Sequence, residues 1–155
     1  MAKPIPDGFH SLNAYLAVDR ATEAIEFYKR AFGAKERSRM PGPDGTIGHA
    51  ELEIGDSIVM LSDPFPQSSY SPPTLLGGTT IGLLFYTEDV DATVQRAVDA
   101  GGTISMPVQD MFWGDRFGQV TDPFGHVWQI ATHVEDVPPD EMEERAKAAM
   151  AAMTA

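Results

Sequence analysis

Few side chains in this 155-residue chain could carry out chemistry, and they are spread thinly. Cysteine is absent, which excludes thiolate metal ligands, disulfides and cysteine nucleophiles. The four histidines are His10, His49, His126 and His133. His49 stands two residues before Glu51 in GHAELEI, so on a strand both point to one face, as half of a metal site or as a partly exposed polar pair. His126 lies in the turn that opens TDPFGHVWQIATH, where it faces solvent or caps a carbonyl. His10 precedes a strand and His133 follows one, both in structural or exposed positions. DMFWGDRFG offers Trp113, able to stack on a flat ligand or to close a cavity mouth. The same stretch offers Arg116, able to hold a carboxylate or phosphate or to pair with Asp115. No Ser/His/Asp arrangement and no glycine-rich phosphate loop is present.

The elements that must position these groups follow from hydrophobic period and turn chemistry. SLNAYLAV (11–18) reads as a strand, followed by a helix with Ala21, Ala24, Ile25, Tyr28 and Phe32 at helical spacing, capped by Asp19 or Thr22 and closed by Gly33. KERSRM, IGHAELEI and SIVMLSD then form a three-strand meander turning at GPDG and GD. The second half repeats the order: strand TIGLLFYT (80–87), a helix with Val90, Val94, Ala97 and Val98 on one face, then TISMPV, DRFGQVTD and HVWQIAT, the last two joined by DPFG. AIEFYKRAFGA (24–34) lines up with ATVQRAVDAGG (92–102), so a βαβββ unit occurs twice. The expected fold class is therefore α+β, a single domain over 1–155 with modules at 9–63 and 80–133, a surface linker or lid at 64–79 and a C-terminal helix at 137–153. That helix carries a stripe of Met142, Ala146, Ala149, Met150 and Met153, to be packed on its own domain or on a partner subunit.

Composition narrows the partners. The apolar fraction of 43% and charged fraction of 22% are those of a soluble globular domain with a real core. Eleven basic against 23 acidic residues give a net charge of −12, with no basic patch to neutralise phosphates, so neither nucleic acid nor an anionic membrane surface is an expected partner. MAKPIPDGFH lacks the pattern of a signal peptide, and no apolar run approaches the roughly 20 residues of a membrane helix. The expected location is cytoplasmic.

The ordered set YLAVDRATEAIEFYKRAFGA, GHAELEIGDSIVMLSD, FYTEDVDATVQRAVDAGG and FWGDRFGQVTDPFGHVWQIATH resembles the vicinal oxygen chelate superfamily, which holds glyoxalase I, extradiol dioxygenases, fosfomycin-resistance enzymes and bleomycin-binding proteins. Within it the chain looks most like the PhnB-like branch. The resemblance implies two curved sheets around a ligand cup and, in the enzymes, a divalent metal held by the first and fourth strands of each module. Laid on this sequence, those four positions are Asn13, Met60, Gly82 and Gln129. Methionine and glycine cannot ligate a hard cation, and the two amides supply no charge. The resemblance thus implies no family-type metal and no cofactor, with His49 and Glu51 as the fallback metal candidates.

The expected ligand surface is Asn13, Tyr15, Met60, Leu84, Tyr86 and Gln129, with Trp113 and Arg116 at the rim: an apolar, aromatic cup with a few amides and hydroxyls, suited to a small organic molecule. The expected role is a metal-free small-molecule-binding homodimer. Two other roles stay open: a metal-dependent lyase, isomerase or dioxygenase of glyoxalase type, and a structural or regulatory dimer without ligand. Catalysis by Tyr15 or Tyr86 with Gln129 lacks an evident proton acceptor in the sequence.

Overall fold

A computed structural model describes residues 1–155. Strand β1 (Ala14–Ala17), helix α1 (Ala21–Phe32), and strands β2 (Lys35–Pro41), β3 (Ile47–Ile54) and β4 (Ser57–Ser62) form the first βαβββ unit. A short helix α2 (Pro73–Leu76) interrupts the connection. The second unit is β5 (Gly82–Tyr86), α3 (Val90–Asp99), β6 (Thr103–Asp110), β7 (Asp115–Thr121) and β8 (Val127–His133), followed by α4 (Pro139–Met153). The sheets have matching orders, β1-β4-β3-β2 and β5-β8-β7-β6, and in each the first and last strands of the unit pair in parallel. The α+β class and the duplicated unit are as the sequence predicts.

Side-chain alternation assigns the faces. Ala50, Leu52, Val59 and Leu61 of the first sheet, with Leu83, Phe85, Trp128 and Ile130 of the second, join one apolar core with α1 and α3. The aromatic face of α1 reaches across the units: the Phe32 ring lies 4.6 Å from Trp128 and 5.5 Å from Phe85, and Tyr28 lies 5.3 Å from Trp128. Full burial of each such ring contributes roughly 1.5–3 kcal/mol, so this seam binds the halves together. Beneath it, buried Asp122 accepts hydrogen bonds from the Tyr28 hydroxyl, the Trp128 indole and the backbone N–H groups of Phe124 and His126. The His126 ring lies 2.8 Å from the Ala17 carbonyl, one of the two roles open to it in the sequence, and so ties the second unit to the end of β1.

One expectation needs correction. Neither Asp19 nor Thr22 caps α1. The buried carboxylate of Asp63 does so from beyond β4, accepting from Ala21 N at 3.1 Å and from Ile47 N at 2.7 Å. A cap supplied by tertiary contact leaves no local signature. The α4 stripe is packed only in part on its own domain: Met142, Ala146 and Ala149 are half-buried, whereas Met150 and Met153 are exposed. Arg145 attaches the helix by pairing with Glu135 and donating to the Phe112 carbonyl.

Candidate functional site

The helix-side faces of both sheets are used up in the shared core, so each opposite, open face is available for chemistry. On the first sheet this face carries Tyr15, His49, Glu51 and Met60. Tyr15 pairs with Met60, and Met60 with Glu51, in one row across three strands. On the second it carries Gly82, Leu84, Tyr86, Asp115, Phe117, Gln129 and His133, with Leu84 opposite Gln129 and Asp115 opposite His133. Leu84 and Tyr86, on the edge strand β5, are 50% and 54% exposed and leave apolar and aromatic surface uncovered.

The four positions at which the resemblance implies metal ligands do not form a donor set here. The Asn13 amide is held by its own turn, donating to the His10 carbonyl at 2.7 Å and accepting from His10 N at 3.0 Å. Gly82 has no side chain, and the Gln129 amide lies over it, its Cδ 3.6 Å from where a Cβ would stand. Met60 is on the other sheet, and the clefts along the β1 and β5 edges are lined by neither Met60 nor Gln129. Nowhere do three His, Asp or Glu side chains converge as metal donors. The fallback pair is engaged elsewhere: His49 Nδ1 lies 2.9 Å from the Tyr15 hydroxyl and Nε2 lies 3.4 Å from Glu51. These residues do not fit a divalent metal.

Two polar networks occupy the open faces instead. On the first sheet, Glu51, His49 and Tyr15 form a connected row, with Tyr70 from the connecting segment edge-on to Tyr15 at 6.0 Å and 76°. Burial, and secondarily the nearby Tyr15, raises the ionisation of the Tyr70 phenol above its ordinary value. On the second sheet, buried Asp115 accepts from Tyr86 Oη at 2.8 Å and Trp113 Nε1 at 3.0 Å and lies 2.8 Å from His133 Nδ1. Burial alone would raise the Asp115 carboxyl, but its three hydrogen bonds prevail and hold it below the ordinary range. The hydrogen bond to Asp115 raises the Tyr86 phenol, and those to Asp115 and Asp136 raise His133.

The rim residues separate. Trp113 packs between Phe112 and Phe117 and turns its N–H to Asp115, which fixes the ring beside Tyr86. Arg116 falls on the helix side, not the open face. Its guanidinium is bidentate to Asp91 of α3 and also reaches Asp110, so it pairs with neither a ligand nor Asp115. The physical reason is strand parity: Asp115 and Phe117 face one way, so Arg116 must face the other. Residues not singled out for the site, Tyr70, His133 and Asp136, enter through register and the fold of the connection. The available signal for His133 was its place at the end of β8 on the same parity as Gln129.

Comparison with known proteins accounts for the duplicated unit. The family model of the Glyoxalase/Bleomycin resistance protein/Dioxygenase superfamily matches residues 8–130. The chain belongs to this superfamily. An uncharacterized protein of Mycobacterium tuberculosis, Rv0887c, is 46% identical over 136 residues, which cover 86% of this chain and 80% of that protein. Among solved structures of the superfamily fold, TioX from Micromonospora sp. ML1 superimposes with a TM-score of 0.65 at 32% identity, covering 81% of this chain and 99% of TioX. The PhnB protein from Bacillus cereus gives 0.62 at 21% identity over 79% and 99% of the two chains, a likeness of fold.

Proposed function

We propose that this chain is a metal-independent small-organic-molecule-binding member of the superfamily, of the PhnB-like branch, acting as a cytoplasmic homodimer that engages neither nucleic acid nor membrane. The carrying observation is the fate of the four ligand positions: one amide tied to its own turn, one methionine, one glycine and one amide lying over that glycine. What remains on the open faces is aromatic and aliphatic surface with hydroxyls and amides, the lining that suits an organic ligand. Ligand contacts are assigned to Tyr15 and Met60 on one sheet and to Leu84, Tyr86 and Gln129 on the other, with Trp113 flanking them through Asp115.

Because both sheets share a core on their helix sides, the two open faces turn away from each other. A cup is completed when the first sheet of one protomer faces the second sheet of its partner. The half-exposed Leu84 and Tyr86 support this, since pairing would cover them. The net charge of −12 and the absence of any helix long and apolar enough to cross a membrane agree with a partner that is neither nucleic acid nor bilayer.

Purification without chelator, followed by metal analysis and by melting curves with Ni²⁺, Zn²⁺, Mn²⁺ and Fe²⁺, tests the metal-free reading. The expected result is sub-stoichiometric metal and unchanged melting; one metal per site with a shift of several degrees would replace it with a metalloenzyme. Light scattering tests the pairing, with a dimer expected for wild type and a monomer for Leu84→Glu.

A further inference from the structure

The row Tyr15–His49–Glu51 supplies the proton acceptor that the sequence alone does not reveal. The Glu51 carboxylate beside His49 Nε2 favours the tautomer protonated there. Nδ1 is then bare, and Tyr15, 2.9 Å away, donates to it. The diagonal reach of the phenol is possible because the neighbouring pair on the same face, Ala17 and Ser62, is small. No packing demand requires the row: the three side chains lie outside the apolar core cluster and keep partial solvent access.

The surroundings limit the substrate. A cleft of about 640 Å³ runs past Tyr15 between the connecting segment and the approach to β5, lined by Tyr70, Ser71, Pro73 and Leu76. The edge-on pair of Tyr15 and Tyr70 presents aromatic surface to a flat ring. Glu51 pairs with His49 and with no lysine or arginine, so the face disfavours an anionic substrate.

The geometry points to a general acid–base site in which Tyr15, set by His49 and Glu51, interconverts the keto and enol forms of a neutral ketone or aldehyde that carries an aryl group on the carbon next to its carbonyl. This rests on the reading of the open face as the ligand surface. The Tyr15 oxygen takes the proton from the carbon next to the carbonyl as its own proton passes to His49 Nδ1. The freed C–H electron pair forms the C=C bond, and the carbonyl π pair moves to oxygen. The imidazolium, held by Glu51, returns its proton through Tyr15 to that oxygen, giving the enol, or to the carbon, restoring the ketone. Atoms and electrons balance, and no oxidant, reductant or thiol takes part. Tyr15 is the catalytic residue; His49 and Glu51 are positioning residues.

Phenylacetone in D₂O, followed by loss of its benzylic proton signals with the full-length protein, tests the step. Wild type is expected to exchange these protons at least about tenfold faster than buffer, and Tyr15→Phe, which keeps the ring against Tyr70, at the buffer rate, as expected for a general acid–base group worth about 10²–10⁴-fold at full effect. Glu51→Gln is expected to lower the rate and to shift His49 toward the Nδ1-protonated tautomer in its ¹⁵N spectrum, and Glu51→Asp to restore both; a merely structural glutamate would leave the tautomer unmoved. Exchange no faster than buffer, or exchange that survives Tyr15→Phe, overturns the proposal. A perturbed Met60 methyl signal on adding phenylacetone without exchange overturns only the proton transfer and leaves open-face binding standing. Failure of the open-face reading shows differently, as no Met60 perturbation by any member of an organic-ligand library.

Discussion

Replacing Asp122 by alanine tests the seam that holds the two units in register. Asp122 is 4% exposed and receives four donors, two of them the side chains of Tyr28 on α1 and Trp128 on β8. Both donors sit in an aromatic cluster that water cannot easily enter, at 0% and 3% exposure. Each buried donor left without an acceptor costs about 1–3 kcal/mol, so the two together give roughly 2–6 kcal/mol, with the loosened turn as an added loss. At about 2–4 °C per kcal/mol for a chain of this size, the melting temperature should fall by roughly 4–24 °C. Asp122→Asn keeps one acceptor oxygen and should lose only about 1–2 kcal/mol. Urea titration followed by tryptophan fluorescence measures both, and the slope should stay unchanged if unfolding remains two-state. A loss below about 1 kcal/mol for Asp122→Ala would refute the reasoning, because it would mean the donors find other partners at no cost.

The remaining predictions are briefer. Because His133 is raised in the folded state by Asp115 and Asp136, folding binds an extra proton there, and the resulting stability is full below the ordinary imidazole value of 6.5 and fades as pH rises through the raised one. Melting curves should therefore separate wild type from His133→Gln at acidic pH and bring them together at alkaline pH; a gap independent of pH would contradict the assignment. Arg116→Leu should leave small-molecule binding unchanged while releasing the β7 end of the α3 contact, seen as faster amide exchange around Asp91; lost binding would return Arg116 to the ligand surface. Gly114 has φ of 101°, and a Cβ there would collide with the Glu135 carbonyl, so Gly114→Ala should destabilise by more than about 1 kcal/mol in thermal melts.

Much of the architecture was legible because it is written in local periodicity. The helical spacing in 21–32 and 90–99, the turns at GD and DPFG and the recurrence of the unit specify both sheets without tertiary information. Strand alternation grouped Tyr15, Met60, Leu84 and Gln129, and the family resemblance said which face they take. Arg116 was misplaced because Asp115, Arg116 and Phe117 were treated as one rim, whereas a strand sends neighbours to opposite faces. The Asp63 cap on α1, the Tyr15–His49 bond and the Asp115–His133 bond join residues far apart in the chain, and only the register of paired strands brings them together. His49–Glu51 read in isolation resembled half a metal site; with Tyr15 against Nδ1 the same pair becomes a proton-accepting row.

The central claim, that the open faces bind an organic molecule without metal, is tested most directly by screening neutral aromatic compounds against ¹³C-methyl-methionine protein, before and after exhaustive chelation. At least one compound should shift the Met60 methyl with an affinity that chelation leaves unchanged and that Gln129→Ala or Tyr15→Phe weakens at least about tenfold, equivalent to 1.4 kcal/mol. Binding that vanishes on chelation and returns with one equivalent of a divalent metal would contradict it.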